Sequence, residues 1–381
     1  MPELVAIDVV QDDSFPSMLE AIWERGDAAC VIDARLSGPA RDAQLSALAP
    51  TRIVRRVDGE VVEAPVPGGV GVETGDALAV TTSGSTAAPR AVVLTHAAVA
   101  ASATATSRRL GVSTEDRWLC CLPCAHVGGL SVVTRALLTS TPLEVHAGFD
   151  HLAVADAAAR GATLVSLVAA AMRRLEDPLA FRTIVLGGAS PPTERPSNTV
   201  VTWGMTETGS GVVYDGIPLE GVEVAELAGE LFVRCAMQAR AYRDGEPIDA
   251  VGPDGTSGWL ATGDAGSVTD GVVAVHGRVA DVINTGGEKV WPADVERVLT
   301  GHPRVAEVAV WRRADPEWGE RVVAYVVAAG APPTLDELRD HVTAQLPPWA
   351  APKELVVLET LPRSPSGKVV RRDLERSAHP A

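Results

Sequence analysis

The chain has 381 residues, of which 46% are hydrophobic and 22% are charged. This composition is that of a folded globular protein and excludes a mainly disordered chain. The 49 acidic residues outnumber the 33 basic ones and give a formal net charge of −16. Such a balance disfavours nucleic acid or an anionic membrane surface as the main partner. With aromatics at 4%, the core should be aliphatic.

The N-terminal segment, residues 1–13, is acidic and has neither a basic start nor a long apolar run, so it does not resemble a signal peptide. The longest apolar run, near residues 164–172, is too short to cross a bilayer. We therefore expect a cytoplasmic protein without membrane insertion. Residues 1–76 contain only short apolar runs between turn residues and indicate little more.

From Asp76 onward, apolar runs alternate with helical patterns. Thr95 predicts the N-cap of a helix over His96–Leu110, which should end at Gly111. A second helix is predicted over Leu130–Leu138. Six strands are predicted around these helices: Ala77–Thr82, Ala91–Leu94, Arg117–Leu122, Thr163–Val168, Thr183–Leu186 and Thr199–Trp203. This alternation predicts an α/β domain with mainly parallel sheets flanked by helices.

The pattern changes twice further along the chain. Between Gly211 and His276, short β-rich runs separated by Gly, Asp and Pro predict a small β-barrel-like section. From Asp281 the sequence predicts a compact α+β unit of about a hundred residues. Its expected elements are two helices (Pro292–Leu299, Leu335–Leu346) and three strands (Val305–Trp311, Arg321–Val327, Leu355–Leu358).

Five cysteines are present, and Cys121 and Cys124 have C-x-x-C spacing. No second pair follows, and no thioredoxin-like context surrounds them. Cys121 falls within an apolar run, so we predict buried thiols rather than a redox pair or a zinc site.

The segment Thr81–Arg90 follows a predicted strand and concentrates hydroxyl groups, a glycine and a cation in one loop. Backbone N–H groups and hydroxyls in such a loop can bind an anion. It is not the G-x-x-x-x-G-K-[ST] loop of P-loop NTPases. Taken alone, a loop of this composition is also typical of a linker, and this alternative stays open.

The same loop resembles the T-S-G-[ST]-T-G-x-P-K-G signature of the adenylate-forming superfamily, which includes acyl-CoA ligases, peptide-synthetase adenylation domains and luciferases. Ala87 and Ala91 replace the usual glycines, and Arg90 replaces lysine. Further strings follow in family order: Pro123-x-x-His126-x-x-Gly129, Gly187-Gly188-Ala189, Trp203-Gly204-Met205-Thr206-Glu207, Thr262-Gly263-Asp264, Gly277-Arg278-x-x-Asp281 with Gly286-Gly287-Glu288, and Pro362-Arg363-x-x-x-Gly367-Lys368. We identify the chain by these motifs as a member of that superfamily.

The resemblance implies two half-reactions: ATP and a carboxylate give an acyl-adenylate, and the thiol of CoA then displaces AMP. It implies an N-terminal domain over residues 1–279 that binds ATP and the acid. It further implies a mobile C-terminal cap over residues 281–381 with a hinge near Ala280, where Asp or Lys is more usual. ATP, Mg²⁺ and CoA are the implied cofactor, metal and co-substrate.

By the same resemblance, Glu207 is the Mg²⁺ ligand, Thr206 contacts the α-phosphate, and Lys368 is the catalytic lysine of adenylation. His126 lies between the acid and ATP. Asp264 accepts hydrogen bonds from the ribose hydroxyls, and Arg278 assists there. The remaining implied nucleotide and CoA contacts are Thr82, Ser83, Gly84, Ser85, Thr86, Arg90, Gly187, Gly188, Ala189, Trp203, Gly204, Gly286 and Gly287.

The short region before the phosphate loop, and the string that begins at Trp203 and continues through Tyr214-Asp215-Gly216, resemble the o-succinylbenzoate–CoA ligase family of menaquinone synthesis. In that family an Arg nine residues after the histidine is expected to meet a substrate carboxylate, and Arg135 has this spacing. A dicarboxylate bound in an apolar pocket needs such a cation for its second carboxylate. Gly204 and Met205 would also line the acid site. The alternative is that Arg135 points to solvent.

Three other functions remain open at this stage. One is a ligase for another aryl or short carboxylic acid. Another is a non-catalytic nucleotide-binding protein, which the departures at Ala87, Arg90 and Ala91 would permit. The third is a stand-alone peptide-synthetase adenylation domain, although no acidic residue for an α-ammonium group can be placed. Small molecules are the expected partners, and the sequence leaves homo-oligomerisation open.

Overall fold

The structure is a computed structural model that describes residues 1–82, 89–188, 191–192, 194–363 and 369–378. The chain forms two compact units. The first comprises Met1–Ala225, Phe232–Thr262 and Val268–Val273. The second comprises the described residues of Glu226–Leu231, Gly263–Ser267 and Ala274–Ala381. Within the described ranges, no helix has the length and apolar character needed to cross a bilayer.

The helices of the described residues are α1 (Phe15–Glu24), α2 (Gly38–Leu48), α3 (His96–Leu110), α4 (Val127–Thr139), α5 (His151–Ala159), α6 (Ala169–Met172), α7 (Pro292–Thr300), α8 (Leu335–Thr343) and α9 (Leu374–Ala378). Short 3₁₀ turns lie at Pro178–Ala180, Thr206–Thr208, Val279–Asp281, Pro348–Ala350 and Arg371–Asp373.

Helix α3 begins and ends where its sequence predicts. The Thr95 hydroxyl accepts a 3.1 Å hydrogen bond from the N–H of Ala98, which satisfies one of the free donors of the first turn. Gly111 ends the helix in the left-handed conformation with φ 58°. The predicted cap and stop are both confirmed.

The first sheet lies in the first unit. Its early strands are β1 (Leu4–Asp8), β2 (Ala28–Val31), β3 (Arg52–Val57), β4 (Glu60–Pro65), β5 (Asp76–Thr81) and β6 (Ala91–Thr95). The pairs β5–β2, β2–β1 and β1–β3 are parallel, whereas β3–β4 and β5–β6 are antiparallel. Residues 1–76, which indicated little by sequence, therefore provide the centre and one edge of this sheet.

The second sheet also lies in the first unit. Its strands are β7 (Trp118–Cys120), β8 (Leu143–Val145), β9 (Leu164–Leu167), β10 (Thr183–Leu186), β11 (Thr199–Met205), β12 (Ser210–Tyr214) and β13 (Ile217–Pro218). The order is β13-β12-β11-β10-β9-β7-β8, and the pairing is parallel from β11 to β8. The predicted α/β fold, with parallel strands flanked by helices, is confirmed.

A small four-stranded sheet follows, with the order β14-β15-β17-β18. Its strands are β14 (Val222–Leu227), β15 (Glu230–Cys235), β17 (Leu260–Thr269) and β18 (Val272–Arg278). Between them in sequence, β16 (Ala241–Tyr242) joins the first sheet as an antiparallel neighbour of β6. A small β section at this point of the chain matches the expectation.

The C-terminal part of the second unit is α+β, as predicted. Its strands are β19 (Ile283–Thr285), β20 (Glu288–Val290), β21 (Val305–Asp315), β22 (Gly319–Ala328) and β23 (Glu354–Val357). They form one sheet in the order β20-β19-β22-β21, with β23 parallel to β22. Val295 and Leu299 of α7 and Leu338 of α8 are fully buried against it, so this core is aliphatic.

Candidate active site

The loop between β7 and α4 is held by one buried glutamine from the N-terminal region. Gln11 Nε2 donates 2.9 Å hydrogen bonds to the carbonyls of Leu122 and His146. Its Oε1 accepts a 2.7 Å bond from the N–H of Cys124. Gln11 therefore supplies hydrogen-bond partners to three backbone groups, the carbonyls of Leu122 and His146 and the N–H of Cys124.

Gly129 lies where the first turn of α4 packs against that loop. A Cβ at this position would lie 2.4 Å from the Leu122 carbonyl oxygen and 2.6 Å from that of Pro123. Only glycine permits this approach of helix and loop. The P-x-x-H-x-x-G spacing therefore has a packing reason: it places His126 at the N-cap of α4.

His126 faces an ion pair that the sequence did not reveal. Its Nε2 lies 2.9 Å from Arg35 Nη2 and 3.3 Å from Asp33 Oδ2. Arg35 also binds both oxygens of Asp33, at 2.8 and 2.6 Å. Burial raises the pKa of the Asp33 carboxyl, but hydrogen bonds from Arg35 and His126 outweigh it and hold that pKa well below its usual range. The carboxylate is therefore charged and fixes the imidazole.

Arg135 is buried, with 2% of its surface exposed, so the alternative that it points to solvent is wrong. Its Nη2 donates to Ser210 Oγ at 3.2 Å, and its Cζ lies 5.0 Å from the ring centre of Trp118. Its Nε and Nη1 are buried and have no hydrogen-bond partner among the described residues. Burial lowers the pKa of this guanidinium, with Tyr214 opposing the shift.

A narrow cavity of about 10 Å³ lies between α3 and α4. That is room for about one water molecule. Its walls are mainly apolar and include Leu94, Val99, Leu130, Thr134 and Gly209. Arg135 is next to Thr134 in the chain, and its partner Ser210 follows Gly209, although neither Arg135 nor Ser210 lines the cavity.

Glu207 lies half-buried in the 3₁₀ turn Thr206–Thr208, which directly follows β11. Its Oε1 accepts a 3.1 Å hydrogen bond from the Tyr242 hydroxyl, and its backbone carbonyl accepts a 2.7 Å bond from the N–H of Ala239. Burial and the neighbouring Glu207 carboxylate raise the pKa of Tyr242 to about 12, so its phenol is protonated and donates.

Arg90 does not extend freely toward solvent. Its Nε and Nη2 bind the two carboxylate oxygens of Asp244 at 2.8 and 2.9 Å. Its Cζ also lies 3.7 Å from the ring centre of Tyr242. The structure therefore joins the end of the predicted phosphate loop to Glu207 through one aromatic ring.

Steric constraints explain the glycines in the Gly187-Gly188 turn and at Gly204. A Cβ on Gly204 would lie 2.2 Å from the Ser210 carbonyl oxygen, because β11 and β12 approach closely at a register shift between Trp203 and Gly204. A Cβ on Gly187 would lie 2.9 Å from Thr202 Oγ1, and Gly188 has φ +87°. The turn after β10 and the strand that leads through Met205 to Thr206 thus pack with little space between them.

In the second unit, the structure brings two predicted nucleotide-binding residues together. Arg278 Nε lies 3.0 Å from Asp264 Oδ1, and the side chain of Asp264 is 13% exposed. Gly263 adopts φ +67° and donates through its N–H to Glu230 Oε1 at 2.9 Å. The T-G-D string therefore lies within β17, where the positive φ of Gly263 interrupts the extended backbone next to Asp264, and the aspartate side chain pairs with Arg278.

Gly286 and Gly287 form the turn between β19 and β20, both with positive φ. A Cβ on Gly286 would lie 2.5 Å from Cε3 of the Trp318 ring. Near the predicted hinge, Arg312 Nη1 donates to the carbonyl of Ala280 at 3.0 Å. These are the positions that the resemblance assigns to the CoA channel and the hinge.

The cysteine prediction is confirmed, since Cys120, Cys121 and Cys124 are all buried and reduced. Cys120 Sγ contacts Cys124 Sγ at 3.8 Å, so the neighbouring thiols are not the C-x-x-C pair. Burial and the neighbouring Cys120 raise the pKa of Cys121 well above its usual range, which makes it a poor nucleophile.

Comparison with protein families identifies the chain. The model of AMP-binding enzymes matches residues 4–238, and that of the AMP-binding enzyme C-terminal domain matches residues 294–368. The chain belongs to the AMP-binding enzyme family. The family predicted from the seven motifs is confirmed.

Relatives of this AMP-binding enzyme share one name. The chain is 41% identical over 328 residues to a probable 2-succinylbenzoate–CoA ligase of Mycobacterium tuberculosis strain H37Rv, covering 79% of this chain and 84% of that one. It is 33% identical over 337 residues to the 2-succinylbenzoate–CoA ligase of Bacillus cereus strain ATCC 10987, with coverage of 77% and 69%.

The chain also resembles solved structures of an enzyme with the same kind of name. The o-succinylbenzoate CoA synthetase of Bacillus subtilis in complex with the acyl-adenylate intermediate superposes with a TM-score of 0.84 at 27% identity, covering 98% of this chain and 88% of that one. The same enzyme with ATP and magnesium ion gives 0.84 at 28% identity, with coverage of 98% and 89%.

Several predicted site residues of this AMP-binding enzyme lie outside the described residues. They are Ser83, Gly84, Ser85 and Thr86 of the phosphate loop, Ala189 of the glycine-rich turn, and Lys368. Thr82 is described and donates through its N–H to the carbonyl of Arg90 at 2.7 Å, which brings the two ends of the loop together.

The sequence did not reveal the roles of Asp33, Arg35, Tyr242, Asp244 and Ser210. The first four stand outside the motifs that carried the resemblance, and Ser210 lies within the string that begins at Trp203 but was given no role there. Their contacts, not their local sequence, reveal them.

The described residues contain no group of three or more His, Cys, Asp or Glu that could hold a metal by itself. A single half-buried carboxylate with one hydrogen-bonded oxygen, as at Glu207, fits the way Mg²⁺ binds together with phosphate oxygens. Glu207 is therefore chemically suited to a metal that arrives with ATP.

Proposed function

We propose that this chain is an ATP- and CoA-dependent acid–thiol ligase that converts o-succinylbenzoate to o-succinylbenzoyl-CoA through an acyl-adenylate. The observation that supports this substrate is that the Arg135 guanidinium is buried and that its Nε and Nη1 lack hydrogen-bond partners among the described residues. The names of the M. tuberculosis and B. cereus relatives support it.

The chemistry requires a cation for the second carboxylate of the acid. Burying an unpaired charge is costly, and a carboxylate ligand would give the Arg135 guanidinium the anionic partner that it lacks among the described residues. If the acid reaches Arg135 through the cavity between α3 and α4, the side chains that line the cavity have to move, because an aromatic ring is far larger than about 10 Å³. A monocarboxylic fatty acid would leave the guanidinium unpaired.

In the first half-reaction, the acid carboxylate attacks the α-phosphorus of ATP and releases pyrophosphate. Glu207 would hold Mg²⁺, which neutralises charge on the phosphates. Thr206 and Lys368 would contact the α-phosphate, His126 would lie beside the reacting carboxylate, and Asp264 with Arg278 would bind the ribose.

In the second half-reaction, the thiol of CoA attacks the acyl carbonyl and releases AMP. The turn at Gly286 and Gly287 would line the CoA channel after the C-terminal cap over 281–381 rotates about Ala280. We place this small-molecule reaction in the cytoplasm, as a step of menaquinone synthesis.

The decisive experiment measures thioester formation with ATP, Mg²⁺ and CoA, comparing o-succinylbenzoate with benzoate and with medium-chain fatty acids. A strong preference for o-succinylbenzoate is expected. Activity only with a monocarboxylate would refute the assigned substrate and the role of Arg135. ATP binding without turnover of any acid in the panel would refute the ligase assignment and favour a nucleotide-binding protein.

A further inference from the structure

Tyr242 stands at a point where three parts of the first unit meet. It lies on β16 and pairs with Val92 on β6, which begins one residue after Arg90. The backbone N–H groups on either side of β16 continue this pairing, from Arg240 to Val93 and from Arg243 to Ala91, each at 2.8 Å. The tyrosine backbone is therefore fixed by the first sheet.

The same segment is bonded to the turn that holds Glu207. The N–H of Ala239 donates to the Glu207 carbonyl at 2.7 Å, and the Tyr242 hydroxyl donates to its Oε1 at 3.1 Å. No hydrogen bond to Oε2 occurs among the described residues. One carboxylate oxygen is thus restrained, and the other is left for a ligand.

The ring of Tyr242 is restrained from its face as well. The Arg90 guanidinium stacks 3.7 Å from the ring centre while it holds Asp244 with two parallel hydrogen bonds. A lysine, which the superfamily usually has here, could not make the planar stack and the two-pronged bond together. Because Asp244 already neutralises Arg90, the positive charge of Arg90 is less available to a phosphate.

We propose that Tyr242 is a positioning residue that orients the carboxylate of Glu207 for Mg²⁺, and that Arg90 acts through the Tyr242 ring rather than as a direct phosphate ligand. This proposal rests on one part of the proposed function, namely that Glu207 binds the Mg²⁺ that accompanies ATP. Residues that hydrogen-bond a metal-binding carboxylate commonly change metal affinity about 10- to 100-fold when removed.

The first test is Tyr242→Phe, which keeps the ring under Arg90 and removes only the hydroxyl. The Mg²⁺ concentration for half-maximal ATP–pyrophosphate exchange should rise about tenfold, with the KM for the acid unchanged. Binding of Mn²⁺ in the presence of a non-hydrolysable ATP analogue, followed by electron paramagnetic resonance, should weaken by a similar factor without any turnover.

Tyr325→Phe is the matched control, because it also removes one hydroxyl with a single hydrogen bond, from Arg313, in the second unit. It should leave Mn²⁺ affinity as in the wild type. If Tyr242→Phe leaves Mn²⁺ and Mg²⁺ affinity unchanged, or if Tyr325→Phe weakens them equally, the positioning role is refuted.

The role of Arg90 is tested by Arg90→Lys in a double-mutant cycle with Tyr242→Phe. If Arg90 acts through the ring, the double variant should lose little more Mn²⁺ affinity than Tyr242→Phe alone. Additive losses would show that Arg90 acts on the phosphates directly and would overturn this half of the proposal. Because Mn²⁺ binding needs no acid substrate, it decides the proposal even if wild-type thioester formation fails and with it the proposed function.

Discussion

The Arg135 guanidinium on α4 donates one 3.2 Å hydrogen bond to Ser210 Oγ at the start of β12, and its Nε and Nη1 have no partner in the described part of the chain. A buried cation with a single neutral partner costs free energy in the absence of a ligand. Arg135 should therefore favour binding of an anionic substrate but lower the free energy of unfolding of the protein without a ligand.

Replacing Arg135 by methionine separates the two effects. Arg135→Met should raise the KM for o-succinylbenzoate about 10- to 100-fold, because hydrogen bonds between charged groups contribute about 1.5–3 kcal/mol each. The same variant should raise the free energy of unfolding without ligand by about 1 kcal/mol or more, since a volume-matched apolar side chain replaces an unpaired charge. Steady-state kinetics and urea denaturation measure both.

Arg160→Met is the control, since the side chain of Arg160 is 49% exposed and already pairs with Glu144 and Asp156. Arg160→Met should leave the KM for o-succinylbenzoate unchanged. It should change the free energy of unfolding by no more than about 0.5 kcal/mol. An unchanged KM in Arg135→Met would contradict the substrate assignment.

Neighbouring glycines at the start of α4 should respond in opposite ways to alanine. Gly129→Ala places a Cβ 2.4 Å from the Leu122 carbonyl oxygen and should lower the free energy of unfolding by about 2 kcal/mol or more. Gly128→Ala meets only a Leu122 side-chain carbon at 3.5 Å and should be neutral or stabilise by about 0.5 kcal/mol. Equal unfolding midpoints for the two variants would contradict the packing argument.

The carboxylate of Asp116 should make the free energy of unfolding depend on pH in the acid range. Its carboxylate accepts bonds from Arg182, Ser113 and Thr163. Burial raises its pKa, but these bonds outweigh burial and lower the pKa below the ordinary 3.8. The stabilisation is therefore complete above the ordinary value and lost as pH falls below it.

Asp116→Asn tests this coupling. The variant should lose about 2 kcal/mol of unfolding free energy near neutral pH. The gap to the wild type should narrow as pH falls below about 3.8 toward the lowered pKa of Asp116 in the folded protein, because only the wild type has a carboxylate that becomes protonated there. Urea denaturation across pH measures it, with the exposed Asp156→Asn as control. A gap independent of pH would show that the charge of Asp116 does not contribute.

Gly286→Ala should affect the second half-reaction more than the first. Its Cβ would overlap the Trp318 ring and distort the turn assigned to the CoA channel. Single-turnover thioester formation from isolated acyl-adenylate should slow about tenfold or more, with pyrophosphate exchange largely retained. Gly330→Ala has a similarly positive φ and open space, so it controls for backbone strain alone. Equal losses in both half-reactions would refute the assignment.

Local patterns predicted much of the fold because the relevant interactions are close in sequence. The cap and stop of α3, the helices α7 and α8, and the strands that surround them follow from residues within a few positions of each boundary. The early strands were missed because short buried strands such as β2 have no alternating pattern, and their neighbours in the sheet come from elsewhere in the chain.

The sequence by itself determined the family, since seven motifs occur in family order and include the glycine-rich turns, the carboxylate predicted to bind a metal and the charged residues predicted to act beside it. Only the tertiary structure decided what holds those residues. Arg35 and Asp33 fix His126, Tyr242 restrains Glu207, and Arg135 turns inward to Ser210. The physical reason is that a motif specifies the conformation of its own backbone, whereas side-chain partners are brought together by packing between segments far apart in the chain.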